Sequence, residues 1–453
     1  MKKRLQHIVL YGMHSSGRSV GRCGASRIYT DGGCPGETVE VEIDRVQRGY
    51  RYGRVNAVVN ASPRRVAPFC PHYGLCGGCN WQHLAYDAQL HWKREILRQA
   101  LNKYAVQTPD VPPVLPSPLT LGYRNKATYA FTHADGLSHA PAAGFHAADC
   151  RRTVCAVAEC GLLPPAMQAT AAAITDAARR RAIPFYNYGA RSGLLKSLQL
   201  RTTTTGQLLA MPDFTTDTPR IRDCMHAFRE ACPDVTAWFY TLDGGAPIYV
   251  AGDAFLTERS GALTFRYSPG AFYQPNPLQA ENLCAQVVAF ADPQDDDRVY
   301  DLYTGVGTLA CHIAGRAAAV VGVEGSADAI ADASANAARN GMANVRFVAG
   351  DILQTFTDDF VAAHGRPDVL ILDPPRAGTL IEIKKAILRA APRKVVYVSC
   401  NPVSLAFDLK QLCEGYHVAA IRPIDMFPHT QHVETVALLE RKAPRTAFRL
   451  TPA

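Results

Sequence analysis

This 453-residue chain has no apolar run long enough to span a membrane and no low-complexity tract. It also has no apolar N-terminal core of secretion-signal length. The basic start Met1-Lys2-Lys3-Arg4 leads into an apolar stretch that breaks at Tyr11-Gly12-Met13-His14. A cytoplasmic protein without a membrane partner is the expectation. Cysteine is not scarce, but its 14 copies are diluted over a long chain. Without a secretory context that pattern argues for metal binding or catalysis rather than a disulfide framework.

What is present is unevenly placed. Of a net charge of +8, residues 1–68 carry an excess of +7. Such a basic front end is the footprint of a polyanion-binding module. Within it, Gly36-Glu37-Thr38-Val39-Glu40-Val41-Glu42-Ile43 alternates apolar and polar residues as a half-buried strand does. Short strands follow, with breaks at Gly49 and Gly53 and a stop at Ser62-Pro63. A small OB-like β-barrel over 1–66 is expected.

The length suggests two or three domains. Residues 67–275 are mixed, with a cysteine group, a helix from Tyr86 to about Leu101, strands at Lys126–Thr132 and Leu198–Thr202, and an Ala-rich helix near 165–181. From about 283 strands and helices alternate: strands at Arg298–Leu302, Val320–Val323, Val345–Val348, Val369–Leu372, Val395–Val398 and Thr435–Leu439. That alternation predicts a doubly wound α/β domain over 276–453, so the fold class is α/β plus β.

Ligands in such sheets bind at the carboxyl ends of the strands. After the first strand, Asp301-Leu302-Tyr303-Thr304-Gly305-Val306-Gly307-Thr308 supplies a glycine turn but not the three-glycine dinucleotide fingerprint. Glu324 ends the second strand, where it can accept from two ribose hydroxyls. Asp351 follows the third, placed for an adenine amine, and Asp373 follows the fourth. Such acidic strand ends repel phosphates and welcome a sulfonium cation, so S-adenosyl-methionine fits and NAD does not. Helix capping by any of these carboxylates is the alternative. After the fifth strand comes Val398-Ser399-Cys400-Asn401-Pro402, which presents a thiol at the same edge.

With Leu372-Asp373-Pro374-Pro375-Arg376 and His429-Thr430-Gln431-His432-Val433-Glu434, this string resembles the RNA uracil-5 methyltransferases along nearly the whole chain. The resemblance implies an N-terminal TRAM barrel, a central iron–sulfur domain and a C-terminal Rossmann-like methyltransferase domain. It makes Cys400 the nucleophile and Glu434 the base. It gives Asp373 and Arg376 the task of holding the nucleotide and supporting the thiolate, since a neighbouring guanidinium lowers a thiol pKa. It implies cofactor contacts from Gln274, Tyr303, Glu324 and Asp373, and a base-stacking role for Phe272. Tyr123-Arg124-Asn125-Lys126 is similar to a family RNA-contact segment, which brings in Arg124. The chain departs from commoner members at Thr304 and Thr308, where Cys and Asn are frequent; neither change removes a charge, and Thr308 is kept as a cofactor contact.

Cys70-x5-Cys76-Gly77-Gly78-Cys79 lets three thiolates converge, with a fourth to come from Cys150, Cys155 or Cys160. All-thiolate ligation suits zinc or an iron–sulfur cluster. The resemblance selects Cys160 and a [4Fe-4S] cluster. Within that resemblance the basic barrel and cysteines point to the 23S ribosomal RNA enzymes; a monomer is the expected state. Simpler transfer-RNA enzymes resemble the α/β half alone, so a transfer-RNA enzyme retaining both extras is the close alternative. A non-catalytic RNA-binding or ribosome-assembly protein is the alternative of another class, and intact Cys400, Glu434 and Asp373 argue against it. Cytosine-5 methylation pairs its cysteine with motifs not seen here.

Overall fold

A computed structural model describes residues 5–133, 141–150 and 152–443. The basic start Met1–Arg4 lies outside the described residues. Along Thr38–Gln47, Val39 and Val41 point inward while Glu40 and Glu42 stay partly exposed, the period-two pattern of a half-buried strand. Leu5–Met13, Ser19–Cys23, Ser26–Asp31, Thr38–Gln47 and Tyr50–Asn60 close into a barrel around Ile8, Leu10, Ile28, Val39 and Val41. Closure leaves no sheet edge to aggregate. Arg48 and Gly49 join the last two strands at φ 50° and 80°, the hairpin geometry that makes Gly49 a break.

A second, seven-stranded sheet fills the middle of the chain, with Lys126–Thr132 and Leu195–Thr202 paired at its centre. The helices Pro165–Arg180 and Arg220–Ala231 contribute Met167, Ile174 and Phe228 to the core with this sheet.

The C-terminal sheet positions the site. Its strands are β1 (Arg298–Leu302), β2 (Ala319–Glu324), β3 (Val345–Ala349), β4 (Val369–Leu372), β5 (Lys394–Ser399), β6 (Tyr416–Ile424) and β7 (Glu434–Arg441). They lie in the order β3-β2-β1-β4-β5-β7-β6, with β1 to β5 parallel and β7 antiparallel to both neighbours. The runs Val-Leu-Ile-Leu of β4 and Val-Val-Tyr-Val of β5 are buried on both faces, as parallel strands under helices must be. β6 escaped the sequence reading because His417, Arg422 and Pro423 interrupt it. It is an edge strand, where proline is tolerated.

The helix Tyr86–Lys103 lies far from this sheet in sequence yet packs on it. Its Leu97, Ala100 and Leu101 share a core with Tyr397, Leu405 and Leu409. Among the described residues no helix is long and apolar enough to cross a membrane.

Candidate active site

The site follows from how β5 ends. Ser399 is its last residue, and Asn401 stops it by capping the helix Pro402–Leu412, accepting from the Val403 N–H at 3.1 Å. Cys400 lies between strand and cap. Antiparallel pairing then sets the base beside the thiol: Ser399 is registered with Thr435, so Glu434 opens β7 next to the end of β5. On the other flank Leu372 is registered with Tyr397, which brings Asp373 to the same edge. The Cys400 thiol accordingly lies in the fields of Glu434, Arg376 and Asp373.

Burial pushes that thiol up to about 11, the Glu434 and Asp373 carboxylates add to the rise, and Arg376 opposes it. The expected lowering by a guanidinium is present but does not prevail. Arg376 acts in that direction, but it is solvent-exposed and is outweighed by desolvation and two carboxyls. Glu434, 4% exposed, is pushed well above the carboxylate range by burial and then by Asp373, the direction a proton acceptor working near neutrality needs. Burial takes Asp373 to about 6.

Three residues that sequence reasoning did not assign hold Arg376 in place. Its Nη1 donates to His432 Nδ1 at 3.1 Å, which fixes that ring as an acceptor. Burial, and then Arg376, push His432 down to about 4. The Arg376 carbonyl accepts from Asn401 Nδ2 at 3.0 Å and Ser404 Oγ at 3.2 Å. His432 stands two residues before Glu434 in an already suspicious string, the one signal that could have found it.

On the cofactor side Tyr303 (φ 65°), Gly305 (φ 55°) and Gly307 (φ 82°) turn the chain from β1 into the helix Thr308–Ala314. A Cβ on Gly307 would come within 2.8 Å of the Phe347 ring, so the turn requires glycine there. Thr308 is the first residue of that helix and is partly exposed. Glu324 accepts from the Gly305 N–H at 3.2 Å and the Ser326 N–H at 3.0 Å. The Tyr303 phenol meets Thr379 Oγ1 at 3.1 Å and lies in the fields of Asp351 and Glu324, so these three expected contacts do converge. Asp351 is solvent-exposed and also caps a helix, accepting from the Leu353 and Gln354 N–H groups at 2.9 and 3.3 Å.

Asp301 stands one residue before the end of β1. It is buried, and its Oδ2 accepts from the Thr304 hydroxyl at 2.6 Å and the Ala310 N–H at 3.1 Å, while Oδ1 has no partner. Thr304 thus does a polar task that makes its departure from the commoner Cys intelligible. Burial, and then the Asp373 and Glu324 charges, push Asp301 up to about 7. An orphaned carboxylate oxygen within an acidic surplus calls for a cationic ligand, and a sulfonium or an amino group fits it.

Asp301→Asn gives the next expected result. A carboxyl raised in the fold favours its protonated state, so its contribution to stability is complete below the unfolded value near 3.8 and is lost as pH rises through about 7. The free variant should therefore gain on the order of 1–3 kcal/mol over the parent at pH 8 and nothing at pH 4. It should also bind S-adenosyl-methionine at least about tenfold more weakly. Denaturant titrations at both pH values, with calorimetry of cofactor binding, measure this.

Phe272 is 67% exposed, which removes it from the core; its neighbour Tyr273 is the buried ring, stacked on Tyr267 at 4.8 Å. The Gln274 carbonyl accepts from Asn125 Nδ2 at 3.2 Å, and Asn276 Nδ2 reaches the Met426 carbonyl at 3.2 Å, which ties this segment to the loop between β6 and β7. Arg124, partly buried, extends its field to His432 and to Lys126, whose ammonium burial takes down to about 8.

The cysteines gather as follows. Cys79 lies in the fields of Cys160, Cys76 and Cys70, and burial is the main reason it rises to about 12. Cys76, raised to about 11 chiefly by burial, feels Cys155, Cys160 and Cys70, and its sulfur accepts from the Gly78 N–H at 3.4 Å. Cys150 is exposed, and its thiol is set by Thr153 and Arg152. Among the described residues no group of three His, Cys, Asp or Glu side chains is set to hold a single metal ion.

Comparison with known proteins agrees with this chemistry. The tRNA (Uracil-5-)-methyltransferase family model matches residues 253–442. An uncharacterized RNA methyltransferase of Bacteroides thetaiotaomicron is 34% identical over 94% of this chain and 100% of its own length. One from Porphyromonas gingivalis is 37% identical over 90% of this chain and 94% of its own. Among solved structures, the tRNA (uracil-54, C5)-methyltransferase of Pyrococcus abyssi, in complex with S-adenosyl-L-homocysteine, superposes with a TM-score of 0.77. It is 27% identical and covers 96% of this chain and 99% of its own. The chain belongs to the RNA uracil-5 methyltransferases, transferases that take their methyl group from S-adenosyl-methionine.

Proposed function

We propose that the chain makes 5-methyluridine in 23S ribosomal RNA, in the cytoplasm and as a monomer, with Cys400 as nucleophile and Glu434 as base. The observation that supports the catalytic part of this reading is the register of Ser399 with Thr435, which puts the thiol near the buried carboxyl. Uracil C5 is too weak a nucleophile to take a methyl group unaided. Cys400 Sγ, once deprotonated, bonds to C6 and gives C5 carbanion character. S-adenosyl-methionine would be held among Gln274, Tyr303, Thr308, Glu324, Asp351 and Asp373 and would supply an electrophilic methyl group, which C5 takes as the sulfonium S–CH3 bond breaks and S-adenosyl-homocysteine leaves. Arg376 and Asp373 hold the base beside the thiol, and Phe272 stacks on it. The Glu434 carboxylate then takes the C5 proton, the C6–S bond breaks and the thiolate is regenerated.

The parts in front of the transferase unit over 276–453 serve the RNA: a TRAM barrel over 1–66 and an intervening domain over 67–275 containing Arg124. On the barrel, exposed Tyr50 and partly covered Tyr52 neighbour Tyr29, and the Arg45 guanidinium lies 4.3 Å from the Tyr52 ring centre. Rings interleaved with cations are what a single strand stacks on. The barrel does not by itself separate ribosomal from transfer RNA, since the Pyrococcus transfer-RNA enzyme matches along almost the whole chain. That match favours a second reading, uracil-5 methylation of a transfer RNA. Mapping 5-methyluridine in both RNAs from a strain lacking this chain tests them. Loss at a 23S position supports the first reading; loss confined to transfer RNA replaces it with the second.

Cys70, Cys76, Cys79 and Cys160 fit a [4Fe-4S] cluster. Their thiols lie in one another's fields, and burial alone would keep Cys76 and Cys79 protonated, so a cationic centre is what would hold them as thiolates. These four thiolates would hold the cluster. The cluster would order the segments around it and takes no electron in the chemistry above. Protein purified without air should be brown, absorbing near about 400 nm. Cys160→Ala should lose iron and Cys150→Ala should keep it; a colourless protein with stoichiometric zinc would overturn the assignment.

A further inference from the structure

We propose that Gln89, on a helix outside the catalytic sheet, is a positioning residue for the base Glu434 and acts through His429; this rests on the reading of Glu434 as base.

The loop between β6 and β7 delivers Glu434 to the site, and at its centre His429 takes φ 66°. A non-glycine residue enters the left-handed region uncommonly, His more readily than most, and contacts from its surroundings can fix it there. Here they do. Gln89 Oε1 accepts from the His429 N–H at 2.8 Å, and Gln89 Nε2 meets His429 Nδ1 at 3.2 Å. A backbone N–H can only donate, which fixes the orientation of the amide. Nε2 is then a donor, and it also reaches the Leu84 carbonyl at 2.9 Å and that of Trp81 at 3.2 Å. From the other side, the His429 carbonyl accepts from the Asn80 and Trp81 N–H groups at 3.2 and 3.0 Å. Gln89 is 1% exposed, so solvent cannot substitute for any of these contacts.

The helix carrying Gln89 is a firm support. Four residues on, and so on the same helix face, the buried Lys93 ammonium bonds Asp425 and donates to the Phe427 carbonyl at 2.9 Å. One helix face thus grips the loop at 425, 427 and 429, with Glu434 five residues beyond. Asn80, next to Cys79, adds a bond from its Nδ2 to Gln431 Oε1 at 2.6 Å. The segment ahead of the catalytic sheet therefore shapes the base's approach as well as the RNA surface.

Gln89→Met nearly preserves volume and removes both of the contacts that Gln89 makes with His429. Turnover should fall about 10- to 100-fold, the cost of moving a reacting group by about an ångström. The KM values for RNA and S-adenosyl-methionine should stay within about twofold. The telling readout is the Cys400–RNA adduct on a denaturing gel: slowed proton removal raises the steady-state adduct, whereas mere loss of fold lowers adduct and turnover together. Should Gln89→Met fail to fold, Gln89→Glu keeps the acceptor for the His429 N–H and should show the same adduct rise at smaller amplitude. Glu434→Gln is run alongside. If it traps adduct while the Gln89 variants behave as the parent, the positioning role is overturned and the base reading stands. If Glu434→Gln turns over normally, the base reading is what fails.

Discussion

Cys400→Ala abolishes methyl transfer, with a loss on the order of a thousandfold or more, while RNA binding stays within about twofold of the parent. The two effects separate because the thiol is one small group at a strand end, and the basic barrel proposed to meet the RNA is built elsewhere. The fold has little to lose: Cys400 is only partly buried and outside the last residue of β5. The pH dependence follows from the same geometry. With the thiol pushed up to about 11 by burial and by the neighbouring carboxylates, little thiolate exists at neutral pH in the free enzyme. Initial rates at low substrate should therefore climb as pH rises from 7 to 9, and a profile flat over that range would contradict the raised thiol. A methyl-incorporation assay beside a filter-binding titration measures both halves.

Glu434→Gln has the second large effect, of a different kind. The amide cannot accept the C5 proton, so turnover falls on the order of a hundredfold or more while the covalent Cys400–RNA species persists. It should migrate as an RNA-shifted protein band in denaturing gels. The substitution should also make the free protein more stable at alkaline pH. A carboxyl raised in the fold contributes fully below its unfolded value and loses that contribution as pH rises through the folded one; an uncharged amide loses nothing. A gain of about 1–3 kcal/mol at pH 9, absent at pH 4, is expected from denaturant curves.

The strands of the catalytic sheet were legible because their apolar runs are continuous and end in carboxylates or a thiol. β4 appears with the expected bounds Val369–Leu372, and β5 differs by one residue at each end. The residues those runs deliver to one edge, Asp373, Cys400 and Glu434, do meet. Contacts that depend on tertiary packing were not legible. His432 bonds Arg376 across 56 positions, and Gln89 meets His429 across 340. No local pattern encodes either distance. The net shift at Cys400 was hidden for the same reason: sequence names the guanidinium that lowers the thiol but not the burial that outweighs it. Asp351 carried two roles from the start, and capping is the one visible in its hydrogen bonds.

The central claim, that the Cys400 sulfur bonds to uracil C6, has a direct measurement. RNA substituted with 5-fluorouridine, incubated with the enzyme and S-adenosyl-methionine, can pass through addition and methyl transfer, but it offers no C5 proton to Glu434. The adduct should lock, and peptide mass spectrometry should find the methylated nucleotide on the peptide containing Cys400. A link to any other residue, or full turnover with no adduct, would contradict the account.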